Sequence, residues 1–215
     1  MGREGLDRIR RPGKISGIKE AGTIGGVLAL GILLGVFSKW LDSLALDSAI
    51  GWHRLLEALD LGNFFSDLAI WLLAALLIAL LSASPLLAAL HVFLFFAGMC
   101  AAYHLYSVLV CGFNPSSYMM IWFGITLVSP LPAVLCWYAR GKGPAAFVLT
   151  AGILAVFIKA CFAIGFLYMD IRGILYLLVF AAAAASLFQS PRQILSALAL
   201  AFLLALVSGP FWPFS

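Results

Sequence analysis

Long apolar runs, separated by short polar or proline-bearing turns, set the pattern of this chain. Seven stand near Gly22–Trp40, Phe64–Leu81, Pro85–Cys111, Ser117–Tyr138, Ala145–Tyr168, Gly173–Phe188 and Ile194–Ser208. An apolar run of about 18 residues or more has the length of a transmembrane helix. Inside a bilayer no water satisfies the backbone, so each span is a helix or part of a closed barrel. Barrel strands alternate polar and apolar positions over about ten residues, and these runs do not alternate. The pattern predicts an all-α, polytopic transmembrane helix bundle of about seven spans. The last two runs are short, roughly 24 Å each at about 1.5 Å per residue. They fit a tilted pair or a partly re-entrant hairpin around Gln189-Ser190-Pro191-Arg192. Pro85, Pro115, Pro144 and Pro191 fall at or just before predicted helix starts, where a missing N–H costs least. In the fourth run, Ser129-Pro130-Leu131-Pro132 predicts a kink. That kink is either a packing bend or a set of freed carbonyls like those that coordinate ions in broken transporter helices.

Composition agrees: 64% of the residues are hydrophobic and 10% charged, with mean hydropathy +1.11. A soluble domain carries about a quarter charged residues. The net charge of +4 would by itself admit a nucleic-acid partner, but the basic residues sit at span ends. The positive-inside pattern accounts for them, and no nucleic acid is expected. With seven spans and a cytoplasmic amino terminus, the inner segments hold Arg3, Arg8, Arg10, Arg11, Lys14 and Lys19 together with Arg140, Lys142 and Arg192. The outer segments hold Lys39, Arg54 and Arg172, along with Asp42, Asp47, Glu57, Asp60, Asp67 and Asp170. Residues 1–21 thus form a basic cytoplasmic tail that orients the first span and touches anionic lipid. Residues 22–215 form a single transmembrane helical domain with an outer loop at about 41–63 and no internal repeat. The first run is too long for a signal-peptide core and lacks a small-x-small cleavage site, so an uncleaved span is expected. In the outer loop, Leu44, Ile50, Leu55, Leu56 and Leu59 among acids and Trp52 fit an amphipathic helix that lies on the surface or caps a cavity.

Polar groups inside a membrane are costly, so each is a candidate for function. Lys159 lies about 21 Å up its predicted helix, in the outer third of the bilayer. It reads as a snorkelling or ion-paired structural lysine, or as a cation in an outward-facing cavity with Asp67 as partner. His91 and His104 are too far apart on one helix to share a metal. His104 shares a face with Cys100, Ser107 and Cys111, a stripe that either packs or binds a ligand. The ligand-binding candidates are therefore Lys159, His104 and Asp67. Cys100, Cys111, Cys136 and Cys161 stand at wide, irregular spacing in apolar runs and read as packing residues. Neither a metal nor a cofactor is expected. Tyr103, Tyr106, Tyr118 and Trp122 fit an outer aromatic belt or an aromatic-lined pocket. Gly22-x-x-x-Gly26 and Gly31-x-x-x-Gly35 are helix-packing motifs that let another helix approach closely, in this chain or in another protein.

Two stretches, Gly112-Phe113-Asn114-Pro115-Ser116-Ser117-Tyr118 and Trp137-Tyr138-Ala139-Arg140-Gly141-Lys142-Gly143, stand out together with Phe64-Phe65-Ser66. In these the chain resembles an uncharacterised family of multi-pass membrane proteins from Gram-positive bacteria, over most of spans one to five. The resemblance implies a bacterial plasma membrane and supplies no activity. Size, inner amino terminus and small-residue first span are also similar to those of the substrate-binding subunits of energy-coupling-factor vitamin transporters. Those usually have six spans, and their substrate signatures are not found here.

Three functions follow in order. The first is transport or binding of a small solute from the extracellular side, because Lys39, Asp67, His104 and Lys159 gather toward the outer face. The second is an accessory or structural membrane protein that organises other membrane proteins through small-residue helix faces. The third, an enzyme, is not expected: the chain has no Gly-x-Ser-x-Gly, His-Glu-x-x-His or paired intramembrane aspartates.

Overall fold

The computed structural model describes residues 3–13, 16–47, 49–164 and 168–208, with side chains from residue 6 onward. Eleven helices and one small hairpin are formed by these residues. In chain order they are α1 (Arg3–Ile9), α2 (Gly17–Asp42), α3 (Gly51–Ala58), α4 (Leu61–Ser66), α5 (Leu68–Leu81), α6 (Pro85–Leu109), α7 (Ser116–Val128), α8 (Pro130–Ala139) and α9 (Pro144–Cys161). The hairpin of β1 (Phe162–Ile164) and β2 (Met169–Ile171) follows, then α10 (Ile174–Ser186) and α11 (Pro191–Val207). The fold is all-α.

Helices α2, α6 and α9 are each long and apolar enough to cross a membrane. The pair α7 and α8, bent by 51° where they join, passes the same test as one broken span and makes a fourth. With 26 residues, α2 extends about 39 Å, beyond the roughly 30 Å of a hydrocarbon core. The apolar helices α5, α10 and α11 are shorter.

Local chemistry explains the helix ends. Ser84 and Ser190 accept hydrogen bonds from the N–H groups of Leu87 and Gln193, each at 3.2 Å, with proline at the next position. Pro144 opens α9 behind Gly143, without a side-chain cap, and Pro115 sits at the N-cap of α7. At the α7–α8 bend, Pro130 cannot donate to the Thr126 carbonyl. The hydroxyl of Ser129 donates to that oxygen instead, at 2.8 Å.

Two predicted spans are corrected. The run Phe64–Leu81 is divided into α4 and α5 at Asp67. The Asp67 carboxylate accepts the N–H of Leu68 at 2.6 Å, a local bond that competes with the helix ladder. The run Ala145–Tyr168 ends as a helix at Cys161, because Phe162 turns to extended backbone and pairs with Ile171 in the hairpin.

The described residues pack as two compact units. In one, comprising residues 12–66 and 78–134, the main packing is α2 against α6. A Cβ placed on Gly31 would collide with the carbonyl oxygen of Phe95, and one on Gly35 with that of Met99. The two backbones therefore touch, as the Gly31–Gly35 motif predicts. Gly22 and Gly26 differ: no atom lies within 4 Å of a Cβ built on either, so this half of the predicted packing face has no neighbour among the described residues. In the 41–63 loop the expected helix is α3, with Trp52 and Leu55 exposed and His53 buried.

In the other unit, comprising residues 1–11, 67–77 and 135–215, α9 packs against α10 and α11. Ala197, Ala201 and Ala205 are fully buried along α11, a small-residue stripe unremarked in the sequence. The amino-terminal tail is docked in this unit. Ile9 C=O accepts the N–H of Lys142 at 2.8 Å, and Arg10 Nη1 donates to the carbonyl of Trp137 at 2.8 Å. The Arg10 guanidinium also lies 4.3 Å from the centre of the Trp137 ring. Burial first, and then the charge of Arg140, lower the pKa of Arg10 below arginine's ordinary value.

Candidate functional site

A cleft of about 410 Å³ opens in the α2–α6 unit, where the C-terminal ends of α2, α4 and α6 meet the start of α7. Its lining joins Lys39, Asp42, Ser66, Tyr103 and Tyr118 to the 113–117 segment. Each group is placed by its helix. Lys39 lies in the last turn of α2, where the C-terminal dipole favours a cation. Its ammonium donates to Asp42 Oδ2 at 2.7 Å, one turn on. Tyr103, two turns from the end of α6, donates its hydroxyl to the same oxygen at 3.1 Å. The Lys39 ammonium also stands 5.2 Å from the centre of the Tyr103 ring.

Tyr118, in the first turn of α7, donates its hydroxyl to the Ser66 carbonyl at 3.4 Å. Its ring centre is 5.9 Å from that of Tyr103. The α7 helix starts without a side-chain cap, so the N–H groups of Ser116 and Ser117 have no intrahelical acceptor. The wall thus holds one ion pair with no net charge, two tyrosine rings, and a polar edge of amide, hydroxyl and backbone N–H donors. Pockets of roughly 300–1,000 Å³ hold small ligands, and a few convergent polar groups on an apolar wall give them orientation.

The three residues predicted to bind a ligand stand elsewhere. Lys159 is buried, 8% exposed, in the last turn of α9 rather than within a longer span. Among the described residues its ammonium has no ion pair or hydrogen bond. Asp67 is not its partner: Asp67 Oδ2 accepts from Arg172 Nη1 at 3.0 Å, in a half-exposed pair. His104 packs its ring against Phe123, with centres 6.3 Å apart, and its buried Nδ1 lacks a partner among the described residues. Of the rest of its stripe, Cys100 and Ser107 are absorbed by packing, whereas Cys111, expected to pack, is exposed. Cys100 Sγ lies 3.4 Å from Thr126 Oγ1, and Ser107 Oγ donates to the Tyr103 carbonyl at 2.8 Å. Among the described residues no group of three or more His, Cys, Asp or Glu could hold a metal ion.

Sequence reasoning placed Lys39 with the outer polar groups, and Tyr103 and Tyr118 in an outer belt or pocket. It missed Asp42 and Ser66 as wall residues. The available signal was the spacing of three between Lys39 and Asp42 at the end of an apolar run. The conspicuous 112–118 stretch forms the far wall, with Gly112 at φ +65° in its turn. No family model, curated protein or solved structure matches the chain.

Proposed function

We propose that the chain is a multi-pass protein of the bacterial plasma membrane that binds a small solute from the extracellular side, as a transporter or its substrate-binding subunit. The observation that carries this reading is the cleft between Lys39, Asp42, Tyr103, Tyr118 and the 113–117 segment. The positive-inside distribution supports an orientation with the amino terminus of α2 in the cytoplasm and its C-terminal end, with the cleft, outside. Seven spans then count α5, α10 and α11 as short or tilted crossings beside α2, α6, α9 and the bent α7–α8 pair. No nucleic acid, metal or catalytic group enters this reading, and lipid is the remaining partner.

Orientation is tested with single cysteines in a Cys-free background. Ser43→Cys and Asn114→Cys are expected to react with impermeant thiol reagents in intact cells, and Gly143→Cys is not. Labelling of Gly143→Cys from outside reverses the topology.

Binding is tested by thermal stabilisation of the purified protein across a library of small neutral and zwitterionic solutes. A hit should raise the melting temperature of wild type and lose at least half of that shift in Lys39→Met and in Tyr103→Phe. A library in which no solute shifts wild type, or in which hits shift all three proteins equally, overturns the reading.

A second reading rests on Gly22 and Gly26, whose open space fits a helix of another membrane protein. In it the chain is an accessory protein that organises a partner through this face. Gly22→Leu and Gly26→Leu should then release a co-purifying protein without loss of stability. Unchanged co-purification sinks it.

A further inference from the structure

The tail docking in the α9–α11 unit brings three separate chain segments to one joint. Lys142 N–H meets the Ile9 carbonyl, and Arg10 closes over Trp137. Gln189, in the α10–α11 turn, donates its amide to the carbonyls of Gly141 at 2.9 Å and Ala139 at 3.4 Å. Gly141 is buried in this joint, where a Cβ would stand 2.5 Å from the Ile9 carbonyl oxygen. Around it lie Arg8 and Arg11 from the tail, Arg140 and Lys142 from the α8–α9 turn, and Arg192 in the first turn of α11. All five are exposed. None is in an ion pair among the described residues. Among the described side chains of the docked tail, residues 6–11, Asp7 is the one acid, and it too is exposed.

We propose that this joint is a binding site for the headgroups of anionic phospholipids. Three features select a lipid surface as occupant. The cations cluster at the ends of apolar helices, α8, α9 and α11, where a bilayer's phosphate layer begins. They come in excess over acid, so the patch carries a net positive charge opposite to an anionic leaflet. Arginine presents a planar fork of donors matched to phosphate oxygens, and four of the five are arginine. The hydrogen bonds of Ile9, Arg10 and Gln189 hold the segments together before lipid arrives. A headgroup then meets cations already gathered, without the ordering entropy of collecting them from free segments. The inference does not rest on the solute reading. It requires only that these helices stand in a membrane.

The test is the melting temperature of the full chain in a neutral detergent, titrated with short-chain phosphatidylglycerol, with short-chain phosphatidylcholine, and with sodium phosphate at matched ionic strength. The expected shift with phosphatidylglycerol is at least twice that with phosphatidylcholine, and phosphate alone gives little. Replacing Arg8, Arg11, Arg140 and Lys142 together by glutamine should remove the difference between the two lipids. Replacing the exposed Lys19 and Arg54 by glutamine should leave it intact. Gly141→Val keeps every charge but denies the tail its seat, and should cut the selectivity by half or more. Equal shifts with the two lipids overturn the proposal, as does a phosphate shift that matches the phosphatidylglycerol one. Retention of the selectivity in the four-glutamine variant overturns it as well.

Discussion

Gly35→Leu is expected to lower the melting temperature of the purified protein by on the order of 2–12 °C, and Gly31→Leu by a similar amount. The carbonyls of Met99 and Phe95 occupy the space that any side chain at these positions would need. An added leucine must push α2 off α6 along the most extensive helix–helix contact among the described residues. Overpacking a well-packed site, with the backbone shifts it forces, costs roughly 1–3 kcal/mol. For a chain of this length about 1 kcal/mol shifts a melting temperature by roughly 2–4 °C. Gly22→Leu and Gly26→Leu, on the same helix but against open space, should change it by less than about 1 °C on the same scale. Thermal unfolding of all four variants in one detergent decides the matter. Equal losses at the four sites would show that leucine in α2 is harmful for a reason unrelated to α6.

The second large effect is expected at Trp137, which is fully buried and is the largest such side chain among the described residues. Trp137→Ala empties a site walled by Tyr138, whose ring meets it edge-on at 4.9 Å, and leaves the Arg10 guanidinium without the ring beneath it. Large-to-small changes of this kind cost about 3–5 kcal/mol. The lost cation–π contact adds roughly 0.5–2 kcal/mol. Trp137→Phe should recover more than half of the loss, because a ring remains in place. Cleavage by a protease at the tail arginines reports the docking separately: Trp137→Ala should be cut faster than wild type and Trp137→Phe at an intermediate rate. A Trp137→Ala protein with wild-type melting and cleavage would refute the role given to this ring.

Much of the fold was legible because it depends on local rules. Apolar runs bounded by serine and proline mark α6 and α11 to within a few residues, a proline marks the start of α9, and the proline pair after Ser129 marks the bend. The break at Asp67 was hidden because one carboxylate in an apolar run does not alter its mean character. What stops the helix there is a bond from that side chain to its neighbour's N–H. The end of α9 was missed for a related reason. Phe162, Ala163 and Ile164 are as apolar as the helix before them, and their extended state depends on pairing with residues 169–171.

The candidate site was less legible still. Lys159 drew notice as an isolated charge in an apolar run, the strongest one-dimensional signal in the chain. The cleft is formed instead by Lys39 with Asp42, by Tyr103 and by Tyr118, drawn from three helices. Their meeting depends on α2 lying against α6, which no single segment specifies.

That α2–α6 contact also bears on how the protein is made. Gly31 and its neighbour Phe95 are about 60 residues apart in the chain. At a synthesis rate of roughly 5–20 residues per second, α2 leaves the ribosome about 3–12 s before its partner exists. In the membrane protein proposed above, α2 stands in the bilayer through that interval before α6 is there to pack on it. Its composition suits this wait: apart from the glycine seam, it turns Leu30, Leu33, Val36 and Phe37 outward, where they remain exposed even after folding. A helix built to be held by lipid first and by protein second can tolerate a seam of glycines, because its insertion does not depend on the seam being filled.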